Sequence, residues 1–141
     1  MVIADSGFWI AALCKRDRWH VRANAAYSEY SESGLITTWP VVAEVCHLLG
    51  RFVSEEAKAA FMDAAGAGGF EIHDLTAAAG RHIASLMRLY ANLPMDLADA
   101  SLVLLAEHLG HGNILTTDRR DFEAYRWKAR HPFTNLMFPE A

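Results

Sequence analysis

Met1-Val2-Ile3-Ala4-Asp5-Ser6-Gly7 and Asn113-Ile114-Leu115-Thr116-Thr117-Asp118 decide the fold of this chain. Each is an apolar run too short for a helix, and each closes on an aspartate where turn or helix-start residues begin. Such runs read as short strands buried in a sheet. Leu35–Thr38, Phe70–His73 and Thr134–Phe138 read as further strands, the last at an edge. The segments between them carry apolar residues at helical spacing. Helices are expected over Ser6–Leu13, Trp19–Tyr30 and Pro40–Gly50, the last with proline at its first position. Another starts after Ser54, a favoured N-cap residue followed by two acids, and ends before the glycine-rich 66–69. Thr76 is expected to cap a long helix to about Ala91. Leu97–Leu109 is apolar nearly all round, which predicts a helix buried against the sheet.

Strands alternating with helices predict a three-layer α/β/α fold with a mostly parallel central sheet of about five short strands. In such sheets the carboxyl ends of all strands share one edge, where ligands bind. Asp5 and Asp118 end two of these strands. Glu44 lies just past Leu35–Pro40, and Asp99 lies within Leu93-Pro-Met-Asp-Leu-Ala-Asp99. Acids far apart in the chain therefore converge at one edge. Each carboxylate raises the pKa of the next unless a cation offsets them. A divalent metal is the simplest offset.

With 141 residues, 52% of them hydrophobic and 21% charged, the chain is expected to form a single domain over 1–141. Its N-terminus has neither the basic nor the long apolar region of a signal peptide. No apolar run approaches the ~20 residues that span a bilayer. Cys14 and Cys46 lack CxxC spacing and read as reduced thiols of a cytoplasmic protein. A net charge of −4 argues against nucleic-acid binding by bulk charge. The basic residues are clustered, however. Arg16 and Arg18, with Lys15 and Arg22, follow the Asp5 strand, and Arg119 and Arg120 follow Asp118.

The motifs Val-Ile-Ala-Asp5-Ser, Pro40-Val-Val-Ala-Glu44-Val, Asp96-Leu-Ala-Asp99-Ala and Ile-Leu-Thr-Thr-Asp118-Arg-Arg-Asp121-Phe122 occur in that order. Together they resemble the PIN domain, specifically the VapC-like ribonuclease toxins of toxin–antitoxin pairs, along essentially the whole chain. The resemblance implies that Asp5, Glu44, Asp99 and Asp118 hold Mg²⁺ or Mn²⁺. It also implies cleavage of single-stranded RNA by hydrolysis to a 5′-phosphate and a 3′-hydroxyl, neutralisation by a small antitoxin, and a homodimer. Arg16, Arg18, Arg119 and Arg120 would then anchor RNA phosphates.

Each acid also has a plainer reading. Asp5 suits a helix N-cap, and Asp96 with Asp99 suits a capping box. The resemblance favours Asp99 as ligand, with Asp96 as cap or accessory acid. Ser6 reads as a hydrogen-bond donor to water or phosphate, Thr116 and Thr117 as hydroxyl partners of Asp118, and Asp121 as a loop or cap residue. His108 and His111 suit the negative end of a helix better than zinc. Two other classes compete. Haloacid-dehalogenase-type phosphatases need a second acid after strand one, where Asp5-Ser6-Gly7 has none, and receiver domains need a lysine at a late strand end. A PIN-fold scaffold that binds RNA or protein without cutting would not require all four acids.

Overall fold

The computed structural model describes residues 1–140. At its centre is β1 (Val2–Ala4), buried at every position. It pairs in parallel with β2 (Leu35–Thr38) on one side and with β4 (Asn113–Leu115) on the other. β3 (Glu71–His73) extends the sheet beyond β2, and β7 (Thr134–Asn135) extends it beyond β4. The order is β3-β2-β1-β4-β7, and every pair is parallel. Parallel neighbours need crossover connections, and helices supply them: α1 (Ser6–Leu13), α2 (His20–Tyr30), α3 (Trp39–Phe52), α4 (Glu55–Gly66), α5 (Gly80–Leu89) and α6 (Leu97–Leu109). They cover the sheet in the three-layer arrangement anticipated from the alternation.

The core follows from the apolar runs. Ile3, Leu35, Ile36, Ile114 and Leu115 are buried in the sheet. On α6, Leu102, Val103 and Leu105 are wholly buried, and the helix packs on β1, β2 and α5, as its all-round apolar character required. Phe8 and Trp9 of α1 meet Phe61 and Phe70 in an aromatic cluster with centroids 4.7–5.4 Å apart. Gly110, in the left-handed region at φ 78°, terminates α6, a conformation that glycine reaches without steric cost.

Several boundaries differ from expectation. No long helix starts at Thr76: its hydroxyl caps nothing, Ala77–Ala79 form a 3-10 turn, and α5 begins at Gly80 and ends at Leu89. Glycine at that point and the lack of a capping hydrogen bond explain the broken start. α3 begins one residue before Pro40. The last strand pairs only over Thr134–Asn135, after which the chain turns: the Asn135 side-chain oxygen accepts the Met137 N–H at 3.1 Å and the Asn135 carbonyl accepts the Phe138 N–H at 3.2 Å. An unforeseen hairpin, β5 (Arg126–Trp127) with β6 (His131–Pro132), follows α7 (Arg119–Ala124) and turns through Lys128 and Ala129, both at positive φ.

One buried polar chain joins the sheet to α6. The hydroxyls of Thr38 and Ser101 lie 2.6 Å apart, and Ser101 donates onward to the Ala98 carbonyl at 2.6 Å. Both side chains are fully buried. Ser101→Ala strands the Thr38 hydroxyl and should cost about 1–3 kcal/mol of unfolding free energy. Adding Thr38→Val should recover part of that loss in urea titrations. A double variant no more stable than Ser101→Ala would contradict the assignment.

A candidate acidic active site

Asp5 follows β1 directly, and its backbone N–H reaches the Leu115 carbonyl of β4 at 3.0 Å. This is the point where the chain order reverses across the sheet, the crevice in which open α/β folds place ligands. Asp5 caps α1: its Oδ1 accepts the Ser6 N–H at 2.7 Å, while Oδ2 accepts the Thr116 hydroxyl at 2.8 Å. Glu44, in the second turn of α3, accepts the Ser6 hydroxyl at 2.8 Å, and that hydroxyl lies 3.4 Å from Asp5 Oδ1. Ser6 thus bridges two of the expected acids.

Asp118 caps α7 through the Asp121 N–H at 3.2 Å, and its own N–H donates to Thr116 Oγ1 at 2.9 Å. The sequence reading had the Thr116 hydroxyl serving the Asp118 carboxylate. Instead it donates to Asp5 and accepts from the Asp118 backbone. Thr117 is set by a different constraint: a methyl group on Gly7 would overlap its hydroxyl, so the absence of a side chain at Gly7 lets α1 and the Asp118 loop approach.

Asp96 and Asp99 form the capping box. The Asp99 N–H donates to Asp96 Oδ1 at 2.8 Å, and the Asp96 N–H lies 3.3 Å from Asp99 Oδ2. The same Asp99 oxygen accepts the Tyr125 hydroxyl at 3.2 Å. Tyr125 is fully buried and was not foreseen. Nothing in Phe122-Glu-Ala-Tyr125 marks it, since its partner lies on another helix. Burial and then the Asp99 charge push its phenol upward, so it remains a donor.

Charge ties these acids together. Burial, augmented by Glu44 and Asp118, raises Asp5 to about 6 against the opposing Thr116 and Ser6 hydrogen bonds. Burial, then the Asp96 and Asp5 charges, raises Asp99 to about 8. Asp118 rises to about 6 through burial and then its side-chain contact with Asp121, with the charges of Asp121 and Asp96 adding. Among the described residues none of these acids pairs with a lysine or arginine.

An all-carboxylate, oxygen-only donor set suits a hard divalent cation, and mutual repulsion without a counter-charge is the condition such a cation relieves. As they stand, however, no three Asp, Glu, His or Cys side chains among the described residues enclose a common ion position. Their oxygens are turned instead to Ser6, Thr116, Tyr125 and the helix caps. The donor chemistry fits a metal, and the side-chain directions are those of capping residues.

The basic residues divide. Arg119 lies over Phe138 at 4.4 Å beside Asp118, and Arg120 is exposed next to it. Arg18 stacks on Trp19 at 4.4 Å. Arg16 lies with Leu13, Phe52 and Val53 at the ends of α1 and α3. His108 stacks on His73 at 4.5 Å, while His111 accepts the Asn113 N–H at 3.2 Å.

Residues 2–128 match the family model described as PIN domain. The chain belongs to the PIN-domain family. This PIN domain is 33% identical over 106 residues to Ribonuclease VapC26 of Mycobacterium tuberculosis, covering 73% of this chain and 78% of that protein. Its fold is that of the crystal structure of VapC20, a Sarcin-Ricin loop cleaving toxin of the same organism. The TM-score is 0.78 at 18% identity, covering 85% of this chain and 92% of that one.

The raised carboxyls give this PIN domain a pH signature. Asp5, Asp99 and Asp118 all titrate higher folded than unfolded, so the folded state holds protons that the unfolded state releases. The stability they confer is full below the ordinary aspartate value of 3.8 and is lost as pH rises through about 6 and then about 8. In EDTA, the urea midpoint should fall between pH 5 and pH 8.5, and Asp5→Asn should flatten the part near pH 6. A midpoint that rises over that range would contradict the acid cluster.

Proposed function

We propose that this chain is a metal-dependent endoribonuclease that cuts single-stranded RNA, and that it is the toxin of a toxin–antitoxin pair. The observation that carries the reading is the mutual charge coupling of Asp5 with Glu44, Asp99 and Asp118 at the switch point of a PIN-family sheet, with no lysine or arginine paired to them among the described residues. VapC26 supports it as a named ribonuclease with one third of its aligned residues in common.

Asp5, Glu44, Asp99 and Asp118 would hold Mg²⁺ or Mn²⁺. The bound ion would lower the pKa of water and stabilise charge on the reacting phosphodiester. The chain's own residues orient the ligands. Thr116 and Ser6 fix both oxygens of Asp5, Ser6 reaches Glu44, and Tyr125 holds one oxygen of Asp99. Asp96 and Asp121 act as accessory acids that cap α6 and α7. Thr116 keeps the Asp118 backbone in place. Arg119, adjacent to Asp118, supplies positive charge for the substrate backbone. Hydrolysis with inversion through an in-line displacement would leave a 5′-phosphate and a 3′-hydroxyl.

The purified chain should degrade unstructured RNA with Mg²⁺ and not with EDTA. Asp5→Asn or Asp118→Asn should lower the rate by at least 10²-fold while leaving the fold intact by circular dichroism. Full activity in either variant removes that residue from the mechanism. RNA that stays intact under all metal conditions, yet is bound, would favour the scaffold reading.

The antitoxin has a candidate seat. A groove of about 440 Å³ between α1, α2 and α4 is lined by Trp9, Leu13, Tyr27, Ala60, Phe61 and Phe70. Leu13 and Tyr27 are 45% and 43% exposed. The Trp9 indole N–H is buried beneath this groove and has no acceptor among the described residues. An apolar segment of the antitoxin fits this chemistry. Ala60→Arg should abolish co-purification with the protein encoded beside the gene and leave RNA cleavage unchanged; retained co-purification would place the antitoxin elsewhere.

A further inference from the structure

Arg22 of α2 and Arg119 of α7 are distant in sequence, yet both stack on one ring. Their guanidinium carbons lie 4.7 and 4.4 Å from the centre of Phe138. Trp19 meets the same ring edge-on at 5.0 Å, and Arg18 covers Trp19 at 4.4 Å. Arg22 Nη1 donates to the Met137 carbonyl at 2.8 Å and to Glu140 Oε1 at 2.7 Å. The Glu140 carboxyl is held below its ordinary range by its own backbone N–H, then by the Arg22 hydrogen bond and charge, with the Arg119 charge adding a smaller pull. One carboxylate thus sits in the field of two arginines on an aromatic floor.

This cluster adjoins the acidic site. A pocket of about 240 Å³ beside it is lined by Arg119, Phe122, Phe133, Asn135 and Phe138, among others. Asn135 donates to the Thr116 carbonyl at 3.0 Å and accepts the Thr116 N–H at 3.4 Å. Thr116 is the residue whose hydroxyl holds Asp5. Two residues, Asn135 and Thr116, therefore separate the pocket from Asp5.

We propose that Arg22 and Arg119 form a seat for one backbone phosphate of single-stranded RNA, flanking the bond that is cut, and that Glu140 occupies it in the free protein. The identity of the polymer rests on the ribonuclease reading above. The seat itself rests on the Glu140 carboxylate, which Arg22 binds and the Arg119 charge reaches, above the one ring that both guanidinium groups cover. Planar guanidinium forks match phosphate oxygens, and arginine on an aromatic ring is pre-organised for them. An exposed ion pair such as Arg22–Glu140 is weak and screened by salt, so a polyanion can displace it. The aromatic pocket beside the seat leaves room for the attached base, and arginines interleaved with aromatic rings are the usual construction of single-strand grooves. Arg22 is a residue that the site motifs do not contain. In this role it positions substrate and does not touch the reacting atoms.

The test uses the full chain carrying Asp5→Asn, so that RNA is bound and not cut, with a fluorescein-labelled oligoribonucleotide read by anisotropy across KCl concentrations. Arg22→Ala with Arg119→Ala should weaken binding tenfold or more. It should also lower the slope of log K against log salt by about 0.7, the value for one phosphate of a single strand. Lysine at both positions should keep the slope. Glu140→Gln, on the exposed tail where it cannot unfold the core, should tighten binding severalfold. Unchanged affinity and slope in the double alanine variant, or no tightening in Glu140→Gln, overturns the seat. Failure of the unmutated chain to cut any RNA with Mg²⁺ would instead sink the ribonuclease reading, because the anisotropy measurement needs no cleavage.

Discussion

A single hydroxyl ties the two halves of the sheet together at the point where the acids meet. Thr116 donates to Asp5 at the end of the central strand and accepts from the backbone of Asp118 at the end of its neighbour. Its carbonyl and N–H are held by Asn135 of the next strand. Three strand ends are thereby locked in register by one fully buried residue. The positions of Asp5 and Asp118 depend on this lock, and both also begin helices and cannot rotate freely. The burial that chiefly raises their carboxyls, and the neighbouring charges that add to it, follow from this placement.

The acids therefore serve two purposes at once. Asp5, Asp118 and the Asp96–Asp99 pair satisfy the free N–H groups at the starts of α1, α7 and α6. A helix start favours negative charge, so the fold gathers carboxylates at one edge by placing three helix starts there. Capping and metal binding are usually weighed as rival explanations for such residues. Here the caps explain how the acids come to be close together, and the shared electrostatic burden explains what they are suited to hold.

Much of this was legible in the chain. Apolar runs of three or four residues closing on aspartate located the central strands, and the alternation with helical periods implied the parallel sheet. Asp5 and Asp118 were readable because a strand end is a local event. Tyr125 was not, since its partner Asp99 lies on a different helix and only tertiary packing brings them together. The same limit applies to Arg22, which from sequence belongs to a basic segment beside α1 and in space belongs to the tail. Thr76 misled for the opposite reason: a favoured cap residue promises a helix start, but its hydroxyl finds no N–H and the helix waits for Gly80. The β5–β6 hairpin escaped notice because its turn uses Lys128 and Ala129 at positive φ, where glycine or asparagine would have signalled it.

The order of the strands carries a consequence for synthesis. β1, the first strand made, is the centre of the sheet, and its partner β4 is not made until residue 115. A growing chain can pair β1 with β2, and β2 with β3, before β4 exists, but the other edge of β1 stays open until β4 has emerged. Contacts of such large sequence separation form late, and domains complete as units during synthesis. The Thr116 lock is made 111 residues after Asp5, and Asp118 follows it. A chain that has not yet made β4 thus carries Asp5 and Glu44 without the partners that complete their constellation, and the acidic centre comes into being only once β4 has joined the sheet.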